Sequence, residues 1–228
     1  MEKALYDPGF RARRIEWLTT TCYHLASNFV RSIYDIEVRN PENLLPLKEK
    51  GFVMLPKHQY LLDIILEDIV LHDTIGRLGH FVMKYTLPRC LEWLGGIPII
   101  RTKDLEGLCH KKGISEKEAV QLAKQYRHDV ERSLVNLLAR DEIVVVHPEG
   151  ERRPHMAAEP DHSILRNLAY IQTYVGKSLP FVPLDFFYDE QHVIRPRIEI
   201  TVGSPIEVPA NGHKTLTDHW RNSMRLVY

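Results

Sequence analysis

His58 and Asp63 lie five residues apart and have the side-chain types needed for general-base catalysis. A carboxylate beside a histidine fixes the imidazole tautomer and stabilises the cation that forms when the ring takes a proton. Residues five apart in a continuous helix point about 140° away from each other. The two side chains therefore meet only if His58 stands in a turn before the helix begins, and Pro56 favours such a turn. We predict that His58 is a general base supported by Asp63.

The same spacing occurs again at His213 and Asp218. The first pair follows a short apolar run, GFVMLP (residues 51–56), which is typical of a buried strand. Ligands of α/β proteins bind at the carboxyl ends of such strands. The second pair lies in a polar segment near the C-terminus. We therefore predict that His213 and Asp218 are surface residues.

The stretch HPEGERR (residues 147–153) has residue types that suit an anion-binding site, although the stretch taken alone favours a solvated turn. Arg101 and Arg152 each follow a predicted strand, and an arginine fork binds a phosphate through two hydrogen bonds. Gly150 lets the backbone approach a ligand closely, and Glu149 is expected to orient an arginine or to accept a hydrogen bond from a hydroxyl. The alternative interpretation is a solvated turn with surface ion pairs, which contribute little to stability.

Several classes of function are not supported by the sequence. Lysine plus arginine and aspartate plus glutamate both number 30, so bulk charge gives no reason to expect a nucleic-acid partner. The three cysteines form no Cys-x-x-Cys pair, which favours a reducing compartment. Zinc-protease, phosphate-loop and serine-hydrolase motifs are absent from the sequence. We do not interpret His147 and His155, across a proline-containing turn, as metal ligands, and we expect no metal.

Apolar runs alternate with helical periodicity along the chain, which indicates an α/β domain with a mixed, largely parallel sheet flanked by helices. The predicted strands are residues 51–56, 79–85, 97–101, 143–148, 179–188 and 195–203. The predicted helices are residues 59–73, 115–142, 161–177 and 213–228. Ser115 and Glu118 are placed to form a capping box at the start of the second of these helices.

The N-terminal segment, residues 9–34, has the periodicity of an amphipathic helix. Trp17 and a basic start are features of helices that lie in a membrane interface. An apolar stripe along a helix is equally typical of a helix that packs on the domain. We predict an N-terminal helical segment at residues 1–36 and a catalytic domain at residues 37–228. We expect neither a signal peptide nor a membrane-spanning helix. The apolar stripe consists of Ile15, Leu18, Cys22, Leu25, Phe29 and Ile33.

Four stretches occur in an order that resembles the glycerolipid acyltransferases of the 1-acylglycerol-3-phosphate acyltransferase family. They are HQYLLD (58–63), GGIPIIR (95–101), HPEGERR (147–153) and LPFVPLDF (179–186). That family carries H-x-x-x-x-D, G-x-I-x-I-x-R, F-P-E-G-T-R-S and a V-P block in the same order. Its P-E-G-T-R block helps to hold the polar, usually phosphorylated, head of the acyl acceptor. The resemblance covers residues 51–186.

The resemblance implies an O-acyltransferase that needs no cofactor. His58, held by Asp63, would take the proton of an acceptor hydroxyl, whose oxygen then attacks the thioester carbonyl of acyl-CoA or an acyl-carrier protein. The expected acceptor is a lysophospholipid or a glycerol-phosphate-like molecule. The expected partners are therefore the lipid substrate, a membrane surface bound peripherally and the carrier protein if it is the donor. We expect a cytoplasmic protein and no nucleic-acid partner.

This sequence departs from the family pattern near the acceptor site. Lys57 stands where Asn or Ser usually precedes the histidine, His147 replaces the usual Phe, and Glu151 and Arg153 replace Thr and Ser. Either Glu151 pairs with Arg153 at the rim of the site, or it faces the acceptor and selects its head group. Two other functions stay open: a non-catalytic lipid-binding or membrane-docking protein of the same fold, and an acyl-thioester hydrolase.

Overall fold

The computed structural model describes residues 13–152, 159–189 and 195–224. The helices within these ranges are α1 (Glu16–Ile33), α2 (Asp63–Ile75), α3 (Leu105–Lys112), α4 (Glu116–Ala139), α5 (His162–Val175) and α6 (His213–Ser223). The strands are β1 (Asp35–Arg39), β2 (Phe52–Pro56), β3 (His80–Lys84), β4 (Gly96–Ile99), β5 (Ile143–Val145), β6 (Pro180–Asp189), β7 (Arg197–Val202) and β8 (Ile206–Glu207). Short 3-10 helices occupy Pro41–Leu47, Arg89–Leu94 and Thr102–Asp104.

The strands form one sheet in the order β1-β7-β6-β2-β5-β3-β4, with β8 paired to β6. Strands β6, β2, β5, β3 and β4 run parallel to one another, whereas β7 and β8 are antiparallel to β6. The sheet is therefore mixed and largely parallel, as the sequence predicts. The carboxyl ends of β2, β5, β3 and β4 lie at a single edge, and the candidate site lies there.

Both faces of the sheet are covered by apolar side chains. Every residue of β2 is buried, which explains why this strand reads as an uninterrupted apolar run. Val53 and Leu55 face a core layer shared with α4, α5 and α6. Phe52 and Met54 face the opposite layer, which α1 and α2 share. A central strand held from both sides gives the residues that follow it a fixed position.

Helix α1 lies on the α2 side of the sheet and buries Thr19, Tyr23, Ser27 and Val30. The predicted apolar stripe points largely away from the domain, because Leu25 and Phe29 are 69% and 66% exposed. No helix in the described ranges is long and apolar enough to cross a membrane. The packing of α1 therefore uses a mainly polar face and leaves an apolar one uncovered.

Three elements were not predicted from the sequence: β1, β8 and α3. Strand β1 (DIEVR) alternates charged and apolar residues and pairs in parallel with β7 at the border of the sheet. The predicted division between residues 36 and 37 falls inside this strand. The segment around residue 36 is therefore part of the sheet.

Candidate active site

The loop between β2 and α2 carries His58. Helix α2 begins at Asp63, so His58 lies in the turn before the helix, and its Nδ1 is 3.0 Å from Asp63 Oδ2. The structure thus brings the predicted pair together in the way that the five-residue spacing requires. Lys57, immediately before the histidine, is only 1% exposed, and its backbone N–H donates to the Leu184 carbonyl at 2.8 Å. The backbone of the loop is thereby anchored to β6.

Asp63 is fully buried and acts as a hydrogen-bond acceptor for the whole loop. Its Oδ2 accepts from the backbone N–H groups of Gln59 and Tyr60 at 2.6 and 2.8 Å. Its Oδ1 accepts from the Tyr188 hydroxyl. Because these donors favour a carboxylate acceptor, the hydrogen on the His58 ring is assigned to Nδ1. Nε2 is then the ring atom that can take a proton.

Tyr188 is a site residue that sequence reasoning missed. Strand β6 pairs with β2 only as far as Leu184, opposite Pro56, and then continues beyond the end of β2. This extension brings Tyr188 against Asp63. Burial and the charge of Asp63 raise the pKa of the Tyr188 hydroxyl. The hydroxyl therefore stays a donor throughout the ordinary pH range.

The surroundings of His58 keep its imidazole neutral. Burial lowers the pKa of His58, and the hydrogen bond with Asp63 opposes that effect in part. The side chain is nevertheless 15% exposed, so the ring is accessible at one side. A neutral, partly accessible imidazole with a fixed tautomer is the form required of a general base.

The PEG loop, residues 148–150, is tied directly to the His58 loop. Glu149 Oε2 accepts the backbone N–H of His58 at 2.8 Å, and Glu149 is buried. Gly150 has a φ of +64°, a backbone conformation that is strained for residues other than glycine. Its N–H donates to the His147 carbonyl at 3.1 Å. The sequence led us to expect contact of Glu149 with an arginine or a hydroxyl. In the structure this carboxylate accepts the backbone N–H of the candidate base.

Arg101 reaches the PEG loop from the end of β4. Its Nη1 donates to the Gly150 carbonyl. Its Nε and Nη2 donate to the two oxygens of Asp104 at 2.8 and 2.9 Å, and Lys84 Nζ lies 3.2 Å from Asp104 Oδ1. Burial alone would raise the pKa of Asp104, but hydrogen bonds from Arg101 and Lys84 lower that pKa to about 2. Arg101 therefore lies against the PEG loop, and its guanidinium is engaged by a carboxylate.

Two further predicted residues follow the PEG loop at the protein surface. Arg152 and Glu151 are exposed, and Glu151 forms an ion pair with Lys103. Arg153, the partner that we expected for Glu151, lies outside the described residues. Lys84, Lys103 and Asp104 were not identified from the sequence, because their contacts depend on the arrangement of β3 and β4.

A second histidine and a second carboxylate complete the cluster around His58. The His147 ring lies against the His58 ring, and His147 Nε2 is hydrogen-bonded to Glu67. Glu67 follows Asp63 by four residues, so both carboxyls project from the same face of α2. That spacing was visible in the sequence. Within the described ranges, no group of three or more His, Cys, Asp or Glu residues is arranged to hold a metal ion.

The comparison with protein families decides what kind of protein carries this site. The family model described as Acyltransferase matches residues 35–183, well over half of the chain. The chain belongs to the Acyltransferase family. The matched residues include the His58–Asp63 pair, Arg101 and the PEG loop.

A solved structure shows the same fold for this member of the Acyltransferase family. It is the 1-acyl-sn-glycerophosphate (LPA) acyltransferase PlsC from Thermotoga maritima, which is 15% identical and superposes with a TM-score of 0.53. The alignment covers 91% of this chain and 78% of that one. No curated protein matches the chain. The structural likeness confirms the predicted α/β class.

Proposed function

We propose that this acyltransferase moves a fatty acyl group from an acyl thioester to a hydroxyl of a lysophospholipid or glycerol-phosphate-like acceptor. The observation that carries the proposal is the His58–Asp63 pair, in which the carboxylate fixes the ring through Nδ1 at 3.0 Å. Acyl-CoA and acyl-carrier protein are both suitable donors, since each presents the same thioester.

The proposed reaction is a direct transfer in which His58 moves one proton. His58 Nε2 takes the proton of the acceptor hydroxyl as its oxygen attacks the thioester carbonyl. Collapse of the tetrahedral intermediate breaks the carbon–sulfur bond, and the departing thiolate receives the proton from His58. A positioned base contributes about 10² to 10⁴ in rate, and alignment of the two substrates supplies the rest. Neither a covalent acyl-enzyme nor a metal is needed.

The charges near the PEG loop support an acceptor with an anionic head. Lys84, Arg101, Lys103 and Arg152 are cationic, whereas Asp104, Glu149 and Glu151 are acidic. The arginines beside the loop favour a phosphate, which arginine binds with directed hydrogen bonds. Lysophosphatidic acid, the acceptor in the name of the Thermotoga protein, is therefore the first acceptor to test.

The test is acyl transfer from acyl-CoA or acyl-carrier protein to a panel of lysolipids, with detection of both free thiol and acylated product. We expect product to require an acceptor. His58→Ala should reduce kcat by about 10² to 10⁴, and Asp63→Asn should also reduce kcat strongly because the ring loses its tautomer. His213→Ala is the matched control, since His213 has the same spacing to Asp218 but lies in α6.

Three outcomes would contradict the proposal. Thiol release without an acceptor would indicate a thioester hydrolase. Lipid binding without any thiol release would indicate a non-catalytic lipid-binding protein. A loss in His213→Ala that exceeded the loss in His58→Ala would show that the base had been misassigned. Circular dichroism of each variant distinguishes lost chemistry from lost folding.

A further inference from the structure

His147 and Glu67 form a second histidine–carboxylate pair next to the first. His147 Nε2 is 2.9 Å from Glu67 Oε1. The His147 side chain is 10% exposed, and that of Glu67 is fully buried. The proposed acyl transfer does not use either residue, although both lie within the candidate site.

The two histidine rings are in face contact. Their centroids are 4.0 Å apart and their planes are inclined by 33°. Asp63 therefore fixes one edge of the His58 ring, and His147 covers its face. Since Glu67 holds His147 through Nε2, a change at either residue would alter the contact on the face of the His58 ring.

Burial disfavours the charged form of both members of the second pair. Burial raises the pKa of the Glu67 carboxyl well above its ordinary value, and the charge of Asp63 adds to the effect. Burial lowers the pKa of His147 to about 4. Glu67 Oε2 has no hydrogen-bond partner among the described residues, which a buried charged carboxylate tolerates poorly. A neutral Glu67–His147 pair meets all of these conditions.

We propose that His147, held by Glu67, is a positioning residue for the base: its uncharged ring lies against His58 and keeps that ring in its reactive orientation. This inference rests on the proposed function. A cationic ring at the same place would repel the imidazolium that His58 becomes during transfer. The other titratable or charged groups that face His58 are Asp63 and Glu67 from α2, Glu149 from the PEG loop, and Tyr188 through Asp63.

The kinetic test uses His147→Ala, His147→Phe, Glu67→Leu and the double variant Glu67→Leu/His147→Phe. His147→Ala should lower kcat by about 10- to 100-fold through misplacement of the base, with KM changed by less than about twofold because neither substrate loses a contact. His147→Phe keeps an apolar ring against His58 and should recover most of that loss. Glu67→Leu leaves His147 Nε2 unpaired and should lower kcat, and adding His147→Phe should restore it, since both polar partners are then gone.

A second measurement needs no substrate: the titration of ¹³C-labelled histidines by NMR, with signals assigned from His58→Ala and His147→Ala. His147 should show no titration between about pH 5 and 8. The His58 pKa should rise in His147→Ala, because water then reaches the ring, and should stay low in His147→Phe.

Kinetics and titration together separate the two proposals. If the protein transfers no acyl group but the rings titrate as expected, the proposed function is wrong and the positioning of His58 by His147 stands. If His58-dependent transfer is found while His147→Ala equals His147→Phe in both kcat and the His58 pKa, the positioning role is wrong. Titration of His147 near its ordinary pKa would also overturn the inference.

Discussion

Glu151 and Arg152 are exposed neighbours that follow the PEG loop, and we propose that only Arg152 binds the head of the acceptor. Glu151 pairs with Lys103 at the protein surface, where both side chains are nearly half exposed. Two like charges about 4 Å apart repel by roughly 4 kcal/mol at an effective dielectric near 20. A rim position with a lysine partner therefore lets Glu151 coexist with a bound phosphate. This arrangement favours a rim position for Glu151, while the predicted partner Arg153 lies outside the described residues.

Arg152→Ala should raise the acceptor KM more than the donor KM. A hydrogen bond to a charged group contributes about 1.5 to 3 kcal/mol, so we expect a loss of roughly 10- to 100-fold in kcat/KM for phosphate-bearing acceptors. Glu151→Thr is the matched neighbouring variant and should change the preference among acceptors little. A strong gain for lysophosphatidic acid in Glu151→Thr would show instead that Glu151 reads the head group.

Helix α1 has an exposed apolar side. Trp17, Leu25, Phe29 and Ile33 are exposed along one side of the helix, and Trp17 is 71% exposed. The opposite side packs on α2 and on the segment Arg89–Leu94. We propose that the exposed side docks on the lipid surface from which the acceptor is taken.

Leu25→Ser/Phe29→Ser should weaken binding to anionic vesicles while the fold is retained, because both side chains point away from the domain. Complete burial of an apolar side chain of this size stabilises the buried state by about 1.5 to 3 kcal/mol. We therefore expect vesicle affinity to fall on the order of tenfold for each residue changed, since burial at an interface is partial. Binding should also weaken with salt. Tyr170→Ser, at a half-exposed position of α5 on the other face of the sheet, is the control. Equal binding by the double variant and the control would limit α1 to a structural role.

At the scale of the whole molecule, buried titratable groups set how stability changes with pH. Burial lowers the pKa of His80 to about 3, so the folded state resists its protonation. The stability contributed by neutral His80 is present above the ordinary histidine pKa and is lost as pH falls through the range between about 6.5 and 3.

Burial raises the pKa of Asp68 to about 7, although the Gly79 N–H donates to Asp68 Oδ1 at 3.1 Å. The stability from Asp68 is present at low pH and is lost as pH rises through its folded pKa, so the two groups oppose each other.

Asp68→Asn should expose the effect of the buried histidines. Between pH 7.5 and 5.5, protonation of Asp68 stabilises the wild-type fold by at most about 2 kcal/mol, and the variant lacks this contribution. The free energy of unfolding should therefore fall more steeply on acidification in Asp68→Asn than in the wild type. Urea unfolding at several pH values measures the difference, with the exposed Asp218→Asn as control. Identical slopes in all three proteins would contradict this account.

The sequence by itself determined the local elements and the chemistry of the base. Residue periodicity acts over a few neighbours, so it located β2, α4 and the turn that carries His58. The capping box of Ser115 and Glu118 is likewise local and forms as predicted. The order of the four family blocks along the chain indicated the fold and the candidate site residues. That order can be read from the sequence without knowing which strands are adjacent.

Only the tertiary structure decided which distant groups complete the site. Tyr188 reaches Asp63, and Glu149 reaches the His58 backbone, because β6 and β5 flank β2 in the sheet. Strand order depends on pairing between residues that are far apart in the chain, and no local pattern encodes it. For the same reason the sequence did not show whether the apolar stripe of α1 is packed or exposed. Helix α1 instead buries Tyr23 and Val30 against the α2 layer, and that surface is formed only in the folded domain.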